Sequence, residues 1–130
     1  HVLKTHTPAA EVICVQPAGA PAMTLSWRAR RVVTTDSADT IADGVAGRYP
    51  IPAVLDDLLV VADDAVLVQE ASIVAGLRLL LEHAGLVVEP SAALGVAAVL
   101  EDSERFAGRH VVVILCGSNV DLDAYRRWIS

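Results

Sequence analysis

The run of five branched or apolar residues at 111–115, Val-Val-Val-Ile-Leu, constrains the fold of this chain more than any other stretch. An apolar strand without polar alternation is typical of the parallel sheets of α/β proteins, where helices cover both faces. The run leads directly into Cys116, Gly117, Ser118 and Asn119. Because ligands of open α/β sheets bind beyond the carboxyl ends of the strands, this junction predicts the wall of a ligand site.

Strand-like and helix-like patterns alternate through the rest of the chain. Apolar runs predict further strands at 11–16, 32–33 and 65–68. The strongest helical pattern covers 70–84, where apolar residues recur on one face and Gly85 follows as the C′ residue. Shorter helical patterns cover 21–30, 51–59, 92–100 and 121–128. We therefore predict an α/β fold, part of a parallel, doubly wound sheet flanked by helices, in a single segment.

Charge and hydropathy argue against two classes of function. The net charge is −6, from 10 Lys and Arg against 16 Asp and Glu, and no large basic face is present to bind nucleic acid. The mean hydropathy of +0.50 is high, but Glu89 and Pro90 interrupt the longest apolar run before it reaches the ~20 residues that span a bilayer. Cys14 and Cys116 are interpreted as free thiols, and a cytoplasmic location is expected.

Taken singly, the polar residues of interest have ordinary structural explanations. The four histidines show no metal-ligand spacing. Cys116 has no neighbouring His or Lys to activate it, which favours a packing or hydrogen-bonding thiol over a nucleophile. Glu89 suits a carboxylate at a helix N-terminus, and Asp43-Gly44 is a common turn dipeptide. Residue chemistry alone therefore predicts an α/β domain with three candidate strand-end loops.

Taken together, four segments resemble the serine/threonine dehydratase family of pyridoxal-phosphate (PLP) enzymes, which shares a fold with serine racemase. The matching segments are residues 15–21, 40–45, 88–93 and 115–121. Their order and spacing fit the family over nearly all 130 residues. The resemblance implies that the α/β segment belongs to the large domain of the tryptophan synthase β-like fold, with pyridoxal 5′-phosphate as cofactor.

The resemblance implies cofactor-binding roles for five residues. Cys116 matches the position whose side chain faces the pyridine nitrogen of the cofactor. Gly44 matches a glycine whose backbone lines the cofactor and substrate pocket, and Glu89 matches a carboxylate near the cofactor ring. Gly117 lies in the same cofactor-binding stretch, and Asn119 matches a residue that shapes the closing loop. A neutral thiol cannot hold the ring nitrogen protonated, which favours prompt elimination of a β-hydroxyl group.

Some positions depart from the family pattern. Ser118 and Ala92 stand where glycine is usual or frequent. Serine racemase-like relatives bind a divalent cation partly through carboxylates at positions held here by Gln16 and Ala22. A hard cation would lack its anionic ligands there, and the backbone oxygen of Ala20 alone would not suffice. We therefore expect no metal.

The resemblance also implies parts of the enzyme that these residues do not contain. The family's Schiff-base lysine and glycine-rich phosphate loop lie upstream of the segment that His1 begins. Lys4, the only lysine, lies in what resembles the helix after that loop. We expect the 130 residues to be the C-terminal part of the catalytic domain, without a regulatory domain, without a catalytic residue, and inactive alone.

The predicted function of the complete protein is that of a PLP-dependent threonine/serine dehydratase, or ammonia-lyase. It would convert a small hydroxy amino acid into a 2-oxo acid and ammonia, without nucleic-acid or membrane partners. Two alternatives stay open at this point. One is a serine racemase-like isomerase, and the other is a truncated domain that folds without catalysis. A homodimer is the candidate assembly.

Overall fold

A computed structural model describes residues 1–130 and shows a mixed α/β fold. In chain order, its elements are α1 (Val2–His6), β1 (Ile13–Pro17), α2 (Ala22–Ala29), α3 (Pro52–Val61), β2 (Asp64–Val68), α4 (Glu70–Ala84), α5 (Leu94–Glu101), α6 (Ser103–Phe106) and α7 (Leu122–Ile129). Two 3-10 turns cover Asp43–Val45 and Pro90–Ala93. None of the helices combines the length and apolar character that crossing a membrane would require.

The strands β1 and β2 form a parallel pair. Ile13 lies opposite Asp64, and Pro17 lies opposite Val68. The helices α2 and α3 make the crossover between the strands, as parallel pairing requires. The predicted α/β class is confirmed, and the strand bounds differ from the predicted 11–16 and 65–68 by one or two residues.

The hydrophobic core lies between one face of this sheet and the helices α4 and α5. Val15 and Val66 pack against its cluster of twelve buried residues. Because side chains alternate along a strand, Gln16 points to the other face. There its Oε1 atom accepts a hydrogen bond from the Thr24 amide of α2, at 2.7 Å. Helices therefore cover both faces of the sheet, as the doubly wound arrangement predicts.

The helix α4 has the bounds that its sequence pattern predicts, and Ile73, Leu77 and Leu80 are buried along its inner face. Gly85 follows in the left-handed conformation, with φ at 66°. The amide of Gly85 and that of the next residue donate to carbonyls of the last turn, at 3.1 Å each. This left-handed ending favours glycine, because a Cβ is strained at positive φ.

Two predicted strands are not formed. Neither residues 32–33 nor residues 111–115 belong to the sheet, so both predictions are wrong for this chain. The main-chain groups of 111–115 make no hydrogen bond within the chain, and the side chains of Val112 and Ile114 are 89% and 79% exposed. Residues with a high preference for strands form a strand only when another strand pairs with them. No strand of the chain pairs with residues 111–115.

Ion pairs hold the amino ends of the strands. Arg105 of α6 bridges Glu11 and Asp64, at 2.6 Å each, and Lys4 pairs with Asp63. Hydrogen bonds from Arg105 lower the pKa values of Glu11 and Asp64, and a hydrogen bond from Lys4 lowers that of Asp63. These charged residues lie at the edge of the sheet formed by the amino ends of the strands. They therefore do not occupy the opposite edge, where the carboxyl ends of the strands meet.

Candidate functional site

The carboxyl ends of β1 and β2 meet at one edge of the sheet, where the Ala18 amide donates to the Val68 carbonyl at 2.8 Å. The Gly19 carbonyl then accepts a hydrogen bond from the Asp39 amide at 2.9 Å. A Cβ on Gly19 would lie only 1.8 Å from the Asp39 carbonyl oxygen. Glycine is therefore required where the loop of residues 34–47 meets the end of β1.

Glu70, the first residue of α4, holds the same loop from the other side. Its Oε2 atom accepts a hydrogen bond from the Ile41 amide at 3.0 Å, while its Oε1 atom is buried without a partner. A carboxylate is favourable in the first turn of a helix. Sequence reasoning missed Glu70, because its contact joins residues that are distant in the chain and no motif marks it.

Three of the five predicted cofactor-binding residues lie together at this edge. A Cβ on Gly44 would lie 2.8 Å from Ser91 Oγ and 4.0 Å from Glu89 Oε1. A Cβ on Gly117 would lie 2.3 Å from Glu89 Oε1. The Glu89 amide also donates to the Gly117 carbonyl at 3.0 Å. The half-buried Glu89 therefore lies beside two glycines that come from loops far apart in sequence.

Cys116 and Asn119, the other two predicted residues, are exposed. Cys116 precedes Gly117 directly, so the chain itself brings its backbone next to the contact with Glu89. Asn119 lies two residues beyond Gly117. The roles of both side chains toward a cofactor stay predictions.

Ser91 is a further member of this cluster that sequence reasoning did not single out. It lies in the 3-10 turn Pro90–Ala93, and its Oγ atom is buried without a hydrogen-bond partner. The hydroxyl lies against Gly44, at a position where a side chain on residue 44 would displace it. Ser91 lies within the matched segment 88–93, but a single serine carries no signal of this contact.

An open cleft of ≈ 690 Å³ borders the loop. Its walls include Met23 of α2, Val54 of α3 and the loop residues Gly44 and Tyr49. Neither Glu89 nor any residue of 111–119 lines it. The cleft therefore shares Gly44 with the place where the predicted cofactor contacts converge, but it includes neither Glu89 nor Gly117.

Lys4 lies at the opposite end of the sheet from this cluster. Its ammonium group donates to the Ala10 carbonyl at 2.9 Å and pairs with Asp63, which precedes β2. A five-residue strand separates the two ends by about 13 Å. The position of Lys4 therefore agrees with the expectation that it is not the lysine that binds the cofactor.

No group of three or more His, Cys, Asp or Glu side chains is arranged so that it could hold a metal ion. At the segment where relatives were expected to bind a divalent cation, the Gln16 side chain caps α2 through the Thr24 amide. The absence of a metal from the complete protein stays a prediction.

The cluster has the features that a planar heteroaromatic cofactor requires on one side. Gly44 and Gly117 have no side chains, so Ser91 Oγ and the Glu89 carboxylate can lie directly against their main chain. Glu89 supplies a carboxylate that accepts hydrogen bonds, and Cys116 supplies a thiol that is a weak donor and acceptor. These residues fit the ring of such a cofactor.

The comparisons with known proteins identify the family and its cofactor. The sequence profile of the family described as "Pyridoxal-phosphate dependent enzyme" matches residues 1–117. The chain is 33% identical over 98% of its length to the L-threonine ammonia-lyase of Thermotoga maritima. It is 33% identical over 92% of its length to a serine racemase of Arabidopsis thaliana. The solved T.th. threonine deaminase matches 92% of the chain with a TM-score of 0.86 and 31% identity.

The matched region is a minor part of each of these proteins. The chain spans 32% of the T. maritima protein, 37% of the A. thaliana protein and 43% of the solved chain. The predicted family resemblance is confirmed, and so is the cofactor that the family uses, pyridoxal phosphate. Since the profile covers most of these residues and the fold agrees, the chain belongs to the pyridoxal-phosphate dependent enzyme family.

Proposed function

We propose that these residues form one wall of the PLP site of a dehydratase, or ammonia-lyase, that converts a small hydroxy amino acid into a 2-oxo acid and ammonia. The observation that carries the proposal is the convergence of Gly44, Glu89 and Gly117 at the carboxyl edge of the sheet. When bound, PLP supplies the electron sink that the elimination needs. The residues of this chain supply contacts and orientation.

In this proposal the two glycines leave room for the Ser91 hydroxyl and the Glu89 carboxylate, and Glu89 orients the cofactor ring. The hydrogen bond from the Glu89 amide to the Gly117 carbonyl holds the main chain of Glu89, and its carboxylate lies beside Gly117 and Gly44. Atoms added at either glycine meet Ser91 or Glu89 first. The shape of this wall therefore depends on all three loops together.

Cys116 is proposed to face the pyridine nitrogen from the end of the 111–115 segment. A thiol can form a hydrogen bond with this nitrogen but, unlike a carboxylate, carries no negative charge that would keep it protonated. The weaker electron withdrawal favours prompt loss of a β-hydroxyl group over repeated proton exchange at the α-carbon. This is the reason for placing the lyase reaction first.

A racemase is the second candidate, because the A. thaliana serine racemase is as similar to the chain as the T. maritima lyase is. Both activities remove the α-proton of a small hydroxy amino acid. The lyase then expels the β-hydroxyl group, whereas the racemase returns a proton to the opposite face of the α-carbon. Gln16, in place of a cation-binding carboxylate, gives mild support to the lyase. Chiral analysis of serine and assay of 2-oxo acid, on the same sample, distinguish the two reactions.

The test uses a chimera in which these 130 residues replace the matched region of the T. maritima enzyme. We expect the chimera to retain PLP and to form a 2-oxo acid from L-threonine or L-serine. Gly44→Ala and Gly117→Ala should each weaken PLP binding by about tenfold, a loss of ~1.4 kcal/mol. Gly47→Ala is the matched control, because a Cβ there meets no atom within 4 Å.

Three outcomes would contradict the proposal or change it. A folded chimera that never retains PLP contradicts it entirely, and unchanged PLP binding in both glycine variants contradicts the site. Formation of D-serine without 2-oxo acid moves the function to a racemase.

A further inference from the structure

The helix α7 begins directly after residues 116–120, which contain three of the five predicted cofactor-binding residues and which we call the site loop. Asp121 is the N-cap of α7, and its carboxylate accepts a hydrogen bond from the Ala124 amide at 2.7 Å. A carboxylate in this position fixes the first turn of the helix. The place of α7 therefore sets the place of the C-terminal end of the site loop.

The site loop has few contacts of its own. Its one main-chain hydrogen bond within the chain is accepted by the Gly117 carbonyl from the Glu89 amide, at 3.0 Å. Val120 adds an apolar contact with the core cluster. The residues between Gly117 and Asp121 depend on these contacts and on the helix into which they lead.

The helix α7 in turn depends on α4. A helix of eight residues is not stable in water without tertiary contacts. The Tyr125 side chain of α7 is buried, and its hydroxyl group donates to the Leu77 carbonyl of α4 at 3.4 Å. Trp128 and Ile129 pack against the core cluster. The contact with α4 and the core therefore keeps α7 in place.

Arg78, the next residue of α4, holds the C-terminal end of α7. Its Nε atom donates to the Ile129 carbonyl at 2.9 Å, and its Nη2 atom donates to the Ser130 main-chain oxygen at 2.6 Å. The last carbonyl groups of a helix have no partner within the helix, and a cation is favourable beside them. The planar guanidinium group suits two acceptors at once.

We propose that Arg78 is a positioning residue for the site loop, because it holds α7 and α7 holds the loop in its contact with the Glu89 amide. About 12 Å of helix separates Arg78 from the loop, so Arg78 acts through α7. That the loop contacts PLP rests on the proposed function, whereas the effect of Arg78 on the loop does not. The alternative is a local cap, which would keep the last turn of α7 helical and leave the loop unaffected.

The experiment measures hydrogen exchange of single amides by NMR in the 130-residue chain. The Tyr125 amide, which donates to the Asp121 carbonyl, reports on the first turn of α7, and the Glu89 amide reports on the site loop. Arg78→Ala should speed the exchange of both by about tenfold, which corresponds to ~1.4 kcal/mol. The Ile73 amide in the core of α4 should change by less than about twofold, because the fold as a whole is retained.

Two further variants separate the role of Arg78 from the loss of a charge. Arg126→Ala removes an exposed arginine from α7 itself, where it pairs only with Asp123, and should leave the Tyr125 and Glu89 amides unchanged. Arg78→Lys keeps the positive charge but replaces the planar group by a single ammonium group. It should restore part of the protection of both amides.

The Glu89 amide decides between positioning and a local cap. The proposal is overturned if Arg78→Ala speeds exchange only in the last turn of α7, or if Arg126→Ala has the same effect as Arg78→Ala. It is also overturned if Arg78→Lys restores no protection. An equal acceleration at Ile73, or loss of the fold, would overturn it too, because Arg78 would then act on the whole fold.

The chimera described above tests what the position of the loop means for the cofactor. Arg78→Ala should weaken PLP binding by about threefold to tenfold, and the same variant combined with Asn119→Ala should lose less than the product of the two single losses, because both act on one loop. Unaltered PLP binding in a variant whose Glu89 amide exchanges faster contradicts the place of the loop in the PLP wall. The role of Arg78 is then retained, and the proposed function is not.

Discussion

The strand β2 and the segment 111–115 have similar length and very different environments. Of the two, β2 has the more polar sequence, since it begins with Asp64, yet Ala65 and Val68 are only 1% exposed. The segment 111–115 is wholly apolar, yet Val112 is 89% exposed. The difference lies in the neighbours, because β2 has β1 beside it and helices on both faces. An apolar sequence indicates that a strand should be buried and paired. The neighbouring elements decide whether burial and pairing occur.

The molecule thus has two parts. In one part the apolar side chains are buried in a core, and in the other they remain exposed. The first part comprises the two strands with α2, α4 and α5, tied at the amino ends by ion pairs and at the carboxyl ends by Gly19 and Glu70. The second comprises the segment 111–115 alone. The predictions below test this division, from the largest expected effect to the smallest.

The first prediction compares the same substitution in both parts. Ile73→Ala removes a fully buried side chain from the core cluster and should lower the free energy of unfolding by about 2–5 kcal/mol. Ile114→Ala, at a side chain that is 79% exposed, should change it by less than ~0.5 kcal/mol. Urea denaturation of the 130-residue chain measures both. Equal losses would show that 111–115 is packed as tightly as the core.

The second prediction concerns the carboxyl edge of the closed part. Gly19→Ala places a Cβ against the Asp39 carbonyl oxygen and should cost about 1–3 kcal/mol, because backbone on both sides must shift. Gly47→Ala, in the same loop but with no atom nearby, should stay within ~0.5 kcal/mol of the parent. If the two variants unfold at the same urea concentration, the loop is not anchored at Gly19.

The third prediction concerns the ion pairs at the amino ends of the strands. Hydrogen bonds from Lys4 and Arg105 hold the pKa values of Asp63 and Asp64 below their usual range. A carboxyl whose pKa is lowered by folding stabilises the fold above its unfolded pKa, and this contribution disappears as the pH falls through the folded value. Stability should therefore be full above about pH 5 and decline progressively below ~pH 4.

Substitution of one carboxylate tests the assignment of this acid sensitivity. Asp63→Asn should lower stability at neutral pH and make the decline between about pH 5 and pH 3 shallower. Asp56→Asn, on the exposed side of α3, is the control and should leave the profile of the parent unchanged. Unfolding followed by circular dichroism across this range measures both. An unaltered acid profile for Asp63→Asn would assign the sensitivity to other groups.

The fourth and smallest effect is a difference in thiol reactivity, without a change in stability. Burial raises the pKa of the Cys14 thiol in β1, whereas Cys116 is exposed. Cys116 should react with a disulfide reagent at least about tenfold faster than Cys14. Cys14→Ser and Cys116→Ser assign the two rates.

The sequence by itself determined those features that depend only on residues close together in the chain. The spacing of Ile73, Leu77 and Leu80 and the stop at Gly85 define α4 within a single stretch, so its bounds were predicted correctly. The four matched segments also identified the family and predicted Gly44, Glu89 and Gly117, which lie together in the structure. Short motifs suffice for this recognition, because each motif contains the residue whose chemistry is compared with that of the family.

Only the tertiary structure decided which residues meet and which remain uncovered. The contacts of Ser91 with Gly44 and of Glu70 with Ile41 join distant loops, and no spacing along the chain encodes such a meeting. The same holds for 111–115, whose composition predicted a buried strand that the chain does not form. Pairing and burial depend on the neighbouring elements as much as on the segment itself. An apolar sequence alone therefore does not make a buried strand.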